Sequence, residues 1–250
     1  MYRWYLLFFL IAIAGLSVII AFDMRSKDQQ QQETGQSTVH HGEGFGQTSE
    51  TYFEFHGDVD VSNPEAIAAR VAQIEQRLSE IEPLSRSAVP FYGELMLLHQ
   101  RVGRLDGAAQ ASRHIAMIVN DPQDWWNAAM LNYNWAETIS DTDLRNHFLS
   151  LAQDCFEEAL ALTQNAELLT DYAVALVSMN RDDYALSKLE AAITNHEPYY
   201  RAFLAMGMIL YHHDRIDESI SYLSRSIEIA ETEDEIKQVR SAIAETTLNI

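Results

Sequence analysis

The chain has 250 residues, a net charge of −20, a pI near 4.7 and 47% apolar residues. That size suffices for one packed domain with appendages, while so acidic a surface excludes a nucleic-acid binder or a peripheral protein of anionic membranes, both of which need clustered Lys and Arg. The single cysteine, Cys155, excludes an intramolecular disulfide, and its place beside Phe156 on an apolar stretch reads as a small core residue.

Residues 1–25 read as a transmembrane signal anchor. Residues 4–22 carry no charge, and as a helix they would span roughly 28 Å, close to the hydrocarbon thickness of a bilayer. Trp4 and Tyr5 suit the interface. A cleaved signal peptide is the competing reading, but the run exceeds the ~7–15 apolar residues of such signals and ends in no Ala-x-Ala site. A short charged tail ahead of an anchor stays inside. The rest of the chain is then expected on the outer, periplasmic or extracytoplasmic side.

Residues 26–62 read as a flexible linker, rich in Gln, Gly, Ser and Thr and too poor in aliphatic residues to bury a core. His40 and His41 lack the companions of a metal site and read as solvated. The aromatic stretch 51–61, TYFEFHGDVDV, admits two readings: an extended piece lying against the folded part, or a short motif for a partner.

An amphipathic helix is predicted over 63–82, capped by Ser62 or Asn63 with Pro64 in its first turn. Ile67, Val71, Ile74, Leu78 and Ile81 form a heptad seam of little more than two heptads. The seam either covers the first edge of the following array or pairs with a second copy in a homodimer through 67–81.

Residues 83–231 read as helical hairpins. The first, 90–120, turns at Gly103-Arg-Leu-Asp, with Ala108, Ser112 and Ile115 on its second helix and Met96 and His99 where a small residue and an aromatic are usual. Asp121-Pro122 is expected to end it. The second, 123–163, has Ala152, Phe156 and Ala159 on its second helix, and Trp126, Ala129 and Tyr133 as provisional packing positions on its first. It holds about ten extra residues near 140–146, placed either in a loop or in longer helices. In the last two hairpins, Leu169, Tyr172, Ala173 and Leu176 align with Phe203, Met206, Gly207 and Leu210, and Ala185, Leu189 and Ala192 align with Ser219, Leu223 and Ser226, always 34 residues apart. Small residues provide notches where two helices cross; large ones at spacings of three and four make one apolar face per helix. Asn180-Arg-Asp-Asp and Asp214-Arg-Ile-Asp are expected to turn the chain and cap the following helix. Residues 232–250 read as a C-terminal capping helix with Ile236, Val239, Ile243 and Leu248 on one side.

The 34-residue period with this large-small pattern resembles the tetratricopeptide repeat (TPR). The resemblance implies an all-α, right-handed solenoid of about four hairpins plus flanking helices. It also implies that the first helix of each hairpin lines a groove for a protein or peptide segment. Carried over position by position, that groove comprises Asn127, Leu131, Asn134 and Trp135, then Thr170, Val174 and Val177, then Arg201, Leu204, Met208, Tyr211 and His212. It lacks the Lys and Arg cluster with which similar domains clamp a peptide carboxylate.

The sequence carries no HExxH, GxSxG, CxxC or phosphate-cradling glycine loop, so no catalytic residue, cofactor or metal is assigned and an enzyme is not expected. His212 and His213, adjacent on a helix, point about 100° apart and do not share a metal. The expected function is a membrane-anchored scaffold for protein–protein interaction at the cell envelope. The alternatives are a self-associating structural component of the envelope and an assembly factor resembling those cytochrome c maturation proteins that join a membrane anchor to TPR units.

Overall fold

The computed structural model describes residues 63–247, with side chains to 244, all within the compact unit Ser49–Ile250. The anchor 1–25, the linker 26–62 and the aromatic stretch 51–61 lie outside the described residues. Ten α-helices and one 3₁₀ turn, with no strand, make up the described residues. The helices are α1 (Pro64–Ser79), α2 (Val89–Arg101), α3 (Leu105–Val119), α4 (Pro122–Thr138), α5 (Thr142–Leu162), α6 (Ala166–Ser178), α7 (Asp182–Asn195), α8 (Tyr200–His212), α9 (Ile216–Ile229) and α10 (Glu233–Thr247). They pair as hairpins α2–α3, α4–α5, α6–α7 and α8–α9, and successive hairpins meet through α3–α4, α5–α6, α7–α8 and α6–α8. No helix among the described residues is long and apolar enough to cross a membrane.

Asn63 caps α1, its side chain accepting from the backbone N–H groups of Glu65 and Ala66. The heptad seam turns inward. Ile67 and Ile74 are buried in one cluster with Leu95, Leu98 and Ala111, and Val71 and Leu78 pack at its margin. Arg70 adds a two-pronged ion pair to the buried Glu94, at 2.6 and 2.9 Å. The chain's own first hairpin therefore covers the seam offered above for a homodimer. Such a dimer would require α1 to leave that cluster.

In the last two hairpins, thirteen of the fourteen aligned positions are buried; the exception, Phe203, is half-buried against Tyr222 of α9. Gly207 is a tight notch: a Cβ there would lie 2.7 Å from the Leu223 side chain and 3.2 Å from the Ser219 carbonyl. The Ser219 hydroxyl donates to the Gly207 carbonyl at 2.8 Å. The first hairpin reverses the arrangement. His99 is buried on α2, and the notch that receives its ring is Gly107 on α3.

The turns correct one expectation. Gly103, Asn180 and Asp214 all adopt positive φ, at 72°, 57° and 57°. In each turn the next N–H reaches back five residues, from Arg104 to His99, Arg181 to Leu176 and Arg215 to Leu210. These bonds satisfy the carbonyls of the preceding helix. Asn180 and Asp214 thus close α6 and α8 rather than cap the next helices, whose N-caps Arg181 and Arg215 make no side-chain cap bond. Pro122 likewise opens α4 instead of ending the earlier unit, because Asp121 caps the Gln123 N–H at 2.8 Å.

The extra residues of the second hairpin extend its helices. α4 and α5 have 17 and 21 residues, against 13 and 14 in α6 and α7, and only Ile139–Asp141 separates them. At the other end, α10 starts with a reciprocal cap. The Glu235 carboxylate accepts from the Glu231 and Thr232 N–H groups, and the Thr232 hydroxyl accepts from the Glu235 N–H.

Candidate protein-binding groove

The first helices α4, α6 and α8 are tied by a polar chain that the sequence did not disclose. The indole N–H of Trp126 on α4 donates to Asp171 on α6 at 3.2 Å. The other Asp171 oxygen accepts from Arg201 on α8 at 2.9 Å, and Arg201 also donates to the Tyr199 hydroxyl. Burial pushes the Asp171 carboxyl above the ordinary carboxylate range, against the opposing pull of Arg201 and the Trp126 hydrogen bond. Burial alone would lower the pKa of the Arg201 guanidinium, but Asp171 together with Tyr199 and Tyr200 raises it above its ordinary value, and the Tyr199 phenol is pushed up to about 12, chiefly by burial. A second link joins α4 to α6 lower down, where the hydroxyls of Tyr133 and Ser178 meet at 3.3 Å. Arg145 of α5 bonds Glu137 and the Ser178 carbonyl beside it.

Around this chain the residues assigned from the repeat pattern fall into two groups. Leu204, Met208 and Tyr211 lie half-buried along one side of α8, and Arg201 and His212 flank them. Asn127, Leu131 and Asn134 are half-buried on α4, with Asn127 accepting from Gln123. α8 thus offers an apolar row, and α4 an amide-rich one. Thr170, Val174 and Val177 do not join either as exposed groups: they are 1%, 9% and 7% exposed. All of α6 except Glu167 is buried, although the large core residues Tyr172 and Leu176 occupy only one side of it. The Thr170 hydroxyl returns to its own helix, to the Ala166 carbonyl. Trp135 departs as well. Its ring meets Phe148 of α5 edge-on at 6.1 Å, which makes it part of the long hairpin's packing.

The provisional register of α4 is one residue off in part. Trp125 is the tryptophan turned to the core, bonded to Asn120, whereas Trp126 points toward α6. One signal for the polar chain was present: Asp171 is the only charged residue inside the apolar run 168–178. A lone acid on a helix that is apolar all round has to find a buried partner.

Other candidate groups have ordinary surroundings. His213 bonds Asp182 of α7 at 2.9 Å, and the His212 ring lies edge-on to Tyr211. Cys155 is fully buried, and burial pushes its thiol up to about 11. An open cleft of about 350 Å³ between α3, α4 and α5 is lined by Arg113, Trp125, Asp154, Glu157, Glu158 and Ala161. Its acids come from the second helix of its hairpin, away from the face described above. Among the described residues, no cluster of His, Cys, Asp and Glu could hold a metal ion.

No family model matches the chain, and no curated protein matches it. Solved structures do. The thermophilic TPR protein TTC0263 of Thermus thermophilus superposes with a TM-score of 0.52 at 16% identity, over 72% of this chain and 92% of that one. The described residues therefore have the fold of TPR proteins. MamA aligns with a TM-score of 0.47 at 14% identity, over 73% and 92% of the two chains. YrrB, described as a TPR protein with an unusual peptide-binding site, aligns with a TM-score of 0.42 at 18% identity, over 72% and 85%.

Proposed function

We propose that the chain is a membrane-tethered scaffold that holds an extended protein or peptide segment across its first helices. The observation carrying this reading is the half-exposed apolar row Leu204, Met208 and Tyr211 on α8, braced by the Asp171–Arg201 pair, with half-buried amide side chains on α4 at the other side of α6. Aromatic and aliphatic anchors with adjacent amides suit an extended peptide, whose side chains need pockets and whose backbone needs hydrogen-bond partners. Tethering rests on the uncharged run 4–22, and linker 26–62 would give the solenoid a reach of roughly 30–35 Å.

The test has two arms. Carbonate extraction should leave the full-length chain in the membrane pellet, and protease added to spheroplasts should degrade the solenoid if it lies outside. A mature protein beginning near Asp23 overturns the tether. For the groove, bait carrying Tyr211→Ala should lose the partners that the unaltered chain captures from solubilised membranes. Equal capture by both baits overturns the groove.

A further inference from the structure

We propose that the first hairpin is an acid-operated latch: His99 and His114, lodged between α2 and α3 as neutral rings, take up protons on mild acidification and release α3 from α2, and with it the α1 cover.

The first argument is position. In the three turns, the Arg104, Arg181 and Arg215 N–H groups bond the carbonyls of His99, Leu176 and Leu210 in the same way. His99 therefore holds a core position that is leucine in the third and fourth hairpins, where Leu176 and Leu210 are fully buried. His99 is 6% exposed, and its ring fills the notch at Gly107, where a Cβ would lie 2.6 Å from the ring. A leucine packs at such a place at any pH. An imidazole packs there only while it is neutral.

The second argument is repetition. Seven residues before His99 on α2 stands Tyr92, and seven residues after Gly107 on α3 stands His114. The Tyr92 and His114 rings stack, with centroids 4.6 Å apart and planes inclined by 12°. Seven residues of helix rise about 10 Å, so the two contacts lie two turns apart along the hairpin. Each helix contributes one imidazole to the other.

The third argument is that both surroundings oppose a charge. Nδ1 of His99 is buried without a hydrogen-bond partner, so the charged ring would carry a buried N–H with no acceptor. Arg104 in the turn repels that charge, while Asp106 of α3 and Glu75 of α1 attract it. Asp106 is shared with Arg104, at 3.4 Å. His114 has Arg113 beside it, which also repels. Burial is the largest effect at both rings and holds each below the ordinary histidine value. The opened hairpin thus binds protons first. The stability that the neutral rings give is complete above about pH 6.5 and is lost as pH falls below it. One unit below that value, each ring can shift the opening equilibrium by up to about tenfold, and the pair by up to about a hundredfold.

The last argument is what the latch holds. Ile67 and Ile74 of α1 are buried against Leu95 and Leu98 of α2 together with Ala111 of α3. Parting α2 from α3 divides that cluster and uncovers the apolar seam of α1. Leucine at the matching position leaves the third and fourth hairpins without this response, so the array opens from its first hairpin alone.

The experiment is amide hydrogen exchange on the full chain in detergent, at about pH 7.5 and 5.5, with the intrinsic rates divided out. Protection of α1, α2 and α3 should fall by more than about tenfold relative to that of α6 and α7. His114→Phe keeps a ring against Tyr92 and should make the fall at least about threefold smaller. His99→Leu, the residue of the sister hairpins, should do the same; if it lowers the melting temperature at pH 7.5, His114→Phe decides. Equal protection of the first hairpin at both pH values overturns the proposal. An equal fall in all the hairpins also overturns it, as general acid unfolding. A fall undiminished in His114→Phe overturns it as well, by placing the trigger in another group.

Discussion

The third and fourth hairpins share one sequence register, yet their first helices end in opposite circumstances. Twelve of the 13 residues of α6 are buried; of the 13 in α8, only Ala202, Met206, Gly207, Ile209 and Leu210 are. Thr170, Val174 and Val177 align with Leu204, Met208 and Tyr211, and the first three are buried while the last three are half-exposed. Position in the stack accounts for the difference. α6 is flanked by α4 through Trp126 and Tyr133 and by α8 through Arg201, whereas α8 is followed by α10. The repeat pattern specifies how each hairpin closes on itself. Which face becomes a binding surface depends on the neighbours.

Removing the bond that joins the two helices should have the largest effect. Arg201→Met leaves the Asp171 carboxylate buried without its cation, which should cost about 3 kcal/mol in chemical denaturation. The loss should ease on acidification as Asp171 takes up a proton. Adding Asp171→Leu should recover part of it, since an apolar pair avoids the desolvation cost. A single Arg201→Met variant as stable as the unaltered chain would mean that α8 does not depend on α6.

Next comes the notch on α8 itself. Gly207→Leu drives a side chain into Leu223 and the Ser219 carbonyl, and should cost roughly 1–3 kcal/mol with a lowered melting temperature. A variant that melts unchanged would show the two helices of that hairpin to be separable.

The aligned pair Val177 and Tyr211 sharpens the comparison. Val177→Ala removes buried methyl groups and should cost about 1–2 kcal/mol. Tyr211→Ala, 34 positions later, should move stability by less than about 0.5 kcal/mol while abolishing partner capture. If Tyr211→Ala unfolds the domain, α8 is as much core as α6 and the groove assignment fails.

Much of this was readable in the sequence. The 34-residue register, the turn at Gly103 and the seam on α1 follow from local spacing, because notches and apolar faces are set within one hairpin. The length of α4 and α5 was not fixed, since extra residues fit either a loop or two helices; Asp141, which caps Leu144, decides it. The roles of Asn180 and Asp214 were misassigned because both residue types serve as N-caps and as left-handed closures, and only the five-residue backbone bond tells them apart. The placing of Trp126 and Trp135 depended on contacts with α6 and α5 that no single-helix pattern contains. For the same reason the burial of Thr170, Val174 and Val177 was not legible.

The smallest effect lies outside both hairpins, on α4. Burial, with Asp121 adding to it, pushes the Asp124 carboxyl up to about 6. Its folded pKa thus lies above the unfolded value of ~3.9, so its favourable contribution is complete below about pH 4 and is lost as pH rises through 6. Asp124→Asn should be neutral at pH 4 and stabilising by on the order of 1 kcal/mol at pH 7, partial exposure having reduced the full shift. Denaturation midpoints at the two pH values check it; equal shifts at both would remove burial as the cause. Stability measured on α6 and α8 variants is best compared at one pH for this reason.

The central claim is that the half-exposed side of α8 is where partners sit. Its most direct test places a photoreactive phenylalanine at Met208 and, separately, at Ile220, which is 50% exposed on α9. Irradiated membranes should yield adducts heavier than the chain from position 208 and none from position 220. Adducts from 220 alone, or equally from both, would contradict the claim and move the interaction surface to the opposite side of the hairpin.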